Sequence, residues 1–129
     1  MNILITGCAR FIGAHLTAKL LQEGHQITGI DNLNNYYNPQ LKKLRLDKLI
    51  GKRKNFIFIK EDINNRNLLT DIFKNNHPHL VIHLAAQAGV RYSLINPYIY
   101  EQSNLGGLLN ILEAIKKQDN DIHAFLEVF

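Results

Sequence analysis

The first thirty-one residues fall into the order strand, glycine turn, helix, strand, acid, and few folds accommodate that order. Met1 to Thr6 is an apolar run of strand length, and Gly7-Cys8-Ala9-Arg10-Phe11-Ile12-Gly13 turns the chain into a helix. Gln26 to Ile30 forms a second strand that closes on Asp31. Ile12, Leu16 and Leu20 recur every four residues along the helix, and Gly24 stands where a C-terminal cap belongs. The first N–H groups of a helix have no partner within it and carry partial positive charge, so this turn is shaped to receive a pyrophosphate. Asp31, 24 residues beyond Gly7, is placed to accept hydrogen bonds from an adenosine ribose, which favours NAD over its 2′-phosphorylated counterpart.

One residue breaks the pattern. In the spacing Gly-x-x-Gly-x-x-Gly the outer glycines are Gly7 and Gly13, and the central position is Arg10. A central glycine lets the backbone approach the phosphates. The Cβ and stem of Arg10 take space that a diphosphate needs. A guanidinium is itself a phosphate ligand, but a clash that begins at Cβ is not removed by rotating the side chain. Each ~1.4 kcal/mol of such strain lowers affinity about tenfold, so NAD binding is expected to be weak or lost.

Further along, an Asn- and Tyr-rich turn from Asn32 to Asn38 precedes Pro39, which opens a helix carrying Leu41, Leu44, Leu46 and Leu49 as its apolar side. Phe56 to Ile59 is a third strand, Asn64 or Asn65 caps a helix running to about Asn76, and Leu80 to Leu84 is a fourth strand buried on both faces. A long helix from near Pro97 to about Gln118 contains Gly106 and Gly107, each costing ~1 kcal/mol against alanine unless close packing requires it. Its leucines and isoleucines cover more than one stripe, so cover on two sides is expected. Ile122 to Phe129 supplies a fifth strand. Alternating strands and helices imply a Rossmann-like, doubly wound α/β fold with a parallel sheet in the order 3-2-1-4-5. The ligand crevice then lies at the carboxyl ends of strands 1 and 4.

At 129 residues the chain is long enough for one domain, with 46% hydrophobic residues to build a core. Its formal charge of +4 gathers in Lys42, Lys43, Arg45, Lys48, Lys52, Arg53 and Lys54, read as a solvated helix face because no nucleic-acid motif accompanies them. The single cysteine, Cys8, excludes an internal disulfide and reads as a small residue filling a tight turn. His77, His79 and His83 lack the spacing of a metal site. With no signal-like start and no run near ~18 apolar residues, a cytoplasmic protein that does not enter membranes is expected.

With these residues placed, the chain resembles the NAD-dependent sugar-nucleotide epimerases and dehydratases of the extended short-chain dehydrogenase/reductase superfamily. Asp31-Asn32-Leu33-Asn34-Asn35-Tyr36-Tyr37 and His83-Leu84-Ala85-Ala86-Gln87-Ala88-Gly89-Val90-Arg91-Tyr92-Ser93 are similar to segments of its UDP-glucuronate 4-epimerase branch, up to about residue 121. The resemblance implies that Gly7, Phe11, Ile12 and Gly13 line the pyrophosphate of NAD, that Asp31 and Asn32 hold the adenosine ribose, and that Asp62 and Ile63 hold the adenine. It places Ala85 and Ala86 at the nicotinamide, Asn104 as a brace of the pocket, and Arg91 and Ser93 towards a UDP-sugar. It also implies a dimer contact through the helix of residues 97–118. In such enzymes a Tyr-x-x-x-Lys pair and a nearby Ser or Thr deprotonate the sugar 4-hydroxyl while hydride passes to NAD. Here Tyr36, Tyr37, Tyr92, Tyr98 and Tyr100 are followed four residues on by Gln40, Leu41, Asn96, Gln102 and Asn104. Residues 1–129 therefore read as a truncated cofactor domain without a general base. The alternatives are a non-catalytic nucleotide-binding module, a partner subunit of an intact homologue, or a chain completed by a separate catalytic lobe.

Overall fold

The computed structural model describes residues 1–33, 38–85, 94–118 and 121–126. Five strands, β1 (Asn2–Thr6), β2 (Gln26–Asp31), β3 (Phe56–Lys60), β4 (Leu80–His83) and β5 (His123–Leu126), pair in parallel. Their order is β3-β2-β1-β4-β5, as the alternation of elements required. Between them lie α1 (Phe11–Gln22), α2 (Pro39–Arg45), α3 (Arg66–Asn76), α4 (Pro97–Tyr100) and α5 (Gly107–Lys116). Two wider, π-helical stretches, Leu46–Ile50 and Glu101–Gly106, extend α2 and join α4 to α5.

Strand alternation divides the core between the two sheet faces. Leu4, Ile30 and Val81 pack with Leu69, Ile72 and Phe73 of α3 and with Ile111 and Ala114 of α5. Ile3, Ile5, Ile27 and Ile82 pack on the other face with Leu21 of α1 and Ile50. Helix ends follow local chemistry. The N–H groups of Gly24 and His25 reach back to the carbonyls of Leu21 and Leu20, Asn65 Oδ1 accepts from the Leu68 N–H, and His77 takes a left-handed conformation before Pro78.

Three helix faces differ from the periodicity reading. In α1 the buried residues are Gly13, Ala14, Thr17 and Leu21; Leu16 and Leu20 are half-buried and Ile12 is 58% exposed. Small residues win the inner face because the helix lies so close to the β1 turn that a Cβ on Gly13 would strike the Gly7 carbonyl oxygen. In the basic segment Leu41 and Leu44 are exposed, whereas Leu46 and Leu49 pack against the core. Lys42, read as part of a solvated face, is only 2% exposed. Lys42, Leu46, Leu49 and Ile50 share one face across α2 and the π-helical turn after it, and Ile50 is buried. In α5, Ile111 and Ala114 are buried while Leu109 and Leu112, with Leu105 just before them, point outward, so among the described residues this helix is covered on one side. Gly107 packs closely there: a Cβ would run into the Ile63 side chain, which would have to shift.

Replacing Gly13 by alanine is expected to destabilise the fold by about 3 kcal/mol, since the neighbour to be displaced is backbone. Urea unfolding midpoints compared with Gly24→Ala, whose Cβ meets nothing within 4 Å, separate this packing cost from left-handed strain at position 24.

Candidate functional site

Loops leaving the carboxyl ends of β1, β2, β3 and β4 enclose a cleft lined by Gly7, Arg10, Ile30, Asp31, Asn32, Lys42, Glu61, Asp62, Ile63 and Ala85. Six of these are residues expected at the site: Gly7, Asp31, Asn32, Asp62, Ile63 and Ala85. Gly7 adopts φ +74°, and its Cα lies so close to the next loop that a Cβ would sit 2.8 Å from the Leu84 carbonyl oxygen. Its N–H donates to the Ile30 carbonyl at 2.8 Å, tying the turn to β2. Gly13 is buried against Gly7 and serves helix packing, while Phe11 and Ile12 lie exposed on the first turn of α1, outside the cleft lining. Asn104 is half-buried in the Glu101–Gly106 stretch and is not among the lining residues. Ala86, Arg91 and Ser93 lie outside the described residues.

Asp31 does more than close β2. Its carboxylate, in a residue 5% exposed, accepts from the N–H of Ala9 at 3.0 Å and of Leu33 at 2.8 Å, and Lys42 Nζ lies 3.6 Å away. One side chain thus holds the glycine turn, the β2 exit and α2 together. Burial pushes the Lys42 amine below its ordinary range, Asp31 pulls it partly back, and Arg10 opposes that pull. Sequence reasoning missed Lys42; the proline-opened helix was legible, but which of its faces turns inward was not.

Arg10 occupies the N-cap of α1 with φ −81° and ψ 170°, extended backbone open to any residue, so the peptide there does not demand glycine. Its side chain makes no cap hydrogen bond and lines the cleft. The cavity among the lining residues measures about 40 Å³, room for a water or two, where a small-molecule pocket takes roughly 300 Å³ or more. On the opposite wall Asp62 Oδ1 accepts from both the backbone and side-chain nitrogens of Asn64, and Asn110 Nδ2 donates to the Ile63 carbonyl at 3.1 Å. Asn110, a buried polar residue of α5, was a second residue unmarked by the sequence.

Cys8 is wholly buried, and burial first, then Asp31, raises its thiol pKa well above the ordinary value, which makes it packing rather than a nucleophile. His79 Nδ1 accepts from the Asn2 N–H near the start of β4, whereas His83 is buried at its far end with Nδ1 2.7 Å from Thr6 Oγ1. Among the described residues no group of three or more potential ligands is placed to hold a metal. No described helix is long and apolar enough to cross a membrane.

A parallel 3-2-1-4-5 sheet with a glycine turn at β1 and an acid closing β2 defines the class of dinucleotide-binding α/β domains. The chain belongs to the GDP-mannose 4,6 dehydratase family, whose model matches residues 4–128. It is 51% identical over 114 residues to protein CapI of Staphylococcus aureus, covering 88% of this chain and 34% of that protein. To the UDP-glucuronate 4-epimerase of Thermodesulfobacterium geofontis it is 49% identical over 113 residues, covering 88% and 35%. The crystal structure of UDP-glucuronic acid 4-epimerase from Bacillus cereus, in complex with UDP-glucuronic acid and NAD, superposes with a TM-score of 0.81 at 32% identity over 99% of this chain and 38% of that one. The chain therefore spans about a third of the length of these relatives. It corresponds to the N-terminal nucleotide-binding region of UDP-sugar 4-epimerase-like proteins.

Two outcomes follow from the buried polar groups. Lys42→Met strands the Asp31 carboxylate and is expected to cost about 3 kcal/mol in urea unfolding, with part recovered in the double variant Asp31→Asn/Lys42→Met. Burial lowers the His83 pKa from 6.5 to about 4. The unfolded chain binds that proton first, so the contribution is complete above pH 6.5, shrinks as pH falls, and is gone below about 4. On the order of 3 kcal/mol of stability depends on it. In stability measured across that interval, His83→Gln is expected to flatten the decline by one proton's worth.

Proposed function

We propose that this chain is the NAD-binding part of a UDP-glucuronate 4-epimerase-like protein, that Arg10 weakens its hold on the cofactor, and that residues 1–129 do not epimerise a sugar nucleotide alone. The reading rests above all on the cleft that collects Gly7, Asp31, Asn32, Asp62, Ile63 and Ala85 at the carboxyl ends of the strands. Asp31 and Asn32 receive the adenosine ribose, Asp62 and Ile63 the adenine, and the turn at Gly7 the pyrophosphate, while Ala85 and Ala86 border the nicotinamide. Arg91 and Ser93 belong to the side of the UDP-sugar, and Asn104 braces the pocket. NAD supplies the hydride acceptor in this chemistry; the general base that would accompany it has no Tyr-x-x-x-Lys pair here. Weak binding is supported by the small cavity and by Arg10 in its lining.

A second reading, a non-catalytic module that associates with another copy or with an intact homologue, draws on Leu105, Leu109 and Leu112, of which Leu105 is 67% exposed. Large apolar side chains set in a row outside a helix favour association.

Calorimetric titration with NAD of the chain and of Arg10→Gly tests the cofactor reading. A dissociation constant tighter by roughly a hundredfold in Arg10→Gly, about 2.7 kcal/mol, is expected. Equal, tight binding by both would refute the steric account, and no binding by either, with the fold intact, would refute the cofactor site. Neither protein is expected to turn over UDP-glucuronate.

A further inference from the structure

Thr6 and His83 face each other across β1 and β4, paired in register at the carboxyl end of the sheet, and both are completely buried. Thr6 Oγ1 lies 2.7 Å from His83 Nδ1 and also accepts from the N–H groups of Leu84 at 3.1 Å and Ala85 at 3.2 Å. The Leu84 N–H is shared with the Thr6 carbonyl. His83 Nε2 has no hydrogen-bond partner among the described residues. Counting donors and acceptors fixes the protons. If Nδ1 carried the proton, the threonine hydroxyl would have no acceptor and Nε2 would also be unpaired, leaving two buried polar atoms unsatisfied. With the proton on Nε2, the hydroxyl donates to Nδ1, its lone pairs face the two backbone N–H groups, and a single orphan remains. Two orphans cost more than one.

What the imidazole supplies that an apolar side chain of similar size would not is the acceptor at Nδ1, 2.7 Å from the Thr6 hydroxyl. Its effect reaches Ala85, which lines the cleft, and Leu84, whose carbonyl packs on Gly7. A dinucleotide crossing the carboxyl ends of this sheet lays its adenosine half at β2 and β3 and its other half at β4. We infer that Thr6 and His83 act as one positioning pair: neutral His83, protonated on Nε2, takes the Thr6 hydroxyl proton and thereby holds the Leu84–Ala85 backbone as the cleft wall on the β4 side. The inference rests on the cofactor reading above for what the wall faces, and on hydrogen-bond counting for the pair itself.

Three measurements decide it. In the unmodified chain, a long-range nitrogen–proton NMR spectrum of the imidazoles is expected to show His83 protonated on Nε2; a proton on Nδ1 overturns the pair. Thr6→Val is expected to speed amide exchange at Leu84 and Ala85 roughly tenfold, the loss of about one hydrogen bond. Thr6→Ser, which keeps the hydroxyl, restores it, and amides in α3 stay as they were. Unchanged exchange in Thr6→Val overturns the inference. Binding of NAD by Thr6→Val is expected to weaken by about fivefold while ADP, which lacks the β4-side half, binds as before. Equal loss of both marks general destabilisation and counts against the pair. Should neither the unmodified chain nor Arg10→Gly bind either nucleotide, the cofactor reading fails, while the tautomer and the exchange rates still decide whether the pair holds its wall.

Discussion

Backbone presses on backbone at the carboxyl end of β1, and the site is built around that contact. Gly7 has no room for a Cβ against Leu84 and Ala85, and Gly13 has none against Gly7. Two neighbouring loops and the first turn of α1 are thereby drawn to a single point, with the helix N-terminus facing the cleft. Overpacking here is costly because peptide groups, unlike side chains, have no alternative rotamer. Arg10 sits three residues from each of these glycines, in extended backbone that tolerates any residue. The turn therefore keeps its shape while the space in front of it changes.

Polar contacts fix what the close approach leaves open. The Asp31 carboxylate joins the turn, the β2 exit and α2 through Ala9, Leu33 and Lys42. Thr6 and His83 do the same for the β4 exit, and Asn110 ties α5 to the loop after β3 through the Ile63 carbonyl. Each is buried or nearly so, in a low-dielectric setting where unpaired polar groups are expensive. Arrangement of the cleft and stability of the domain consequently rest on the same residues, and substitutions at them alter both.

Much of the fold was legible in the chain. Short apolar runs, the capping residues Gly24 and Asn65 and the alternation of periods placed the described strands and helices within a few residues, and right-handed crossovers then left one strand order. Less legible were the inward faces. Ile12, Leu16 and Leu20 mark α1 as helical by their spacing, yet Gly13, Ala14 and Thr17 are what lie against the sheet. Lys42 looked like one cation among seven in a basic segment, because nothing in a charge pattern shows which of them will meet the Asp31 carboxylate. Gly107 carried a propensity penalty whose compensation, contact with Ile63, exists only across the fold.

Sequence alone determined the sheet, the glycine turn, the acid at the end of β2 and the foreign residue between the two glycines, since all of these depend on local conformation and on the identity of single side chains. Tertiary structure decided the company they keep: Lys42 with Asp31, Thr6 with His83 and the backbone beyond it, Asn110 with Ile63. Those contacts join residues 11 to 79 positions apart. No spacing rule encodes them, because they form only when several elements pack and each buried donor must find an acceptor nearby.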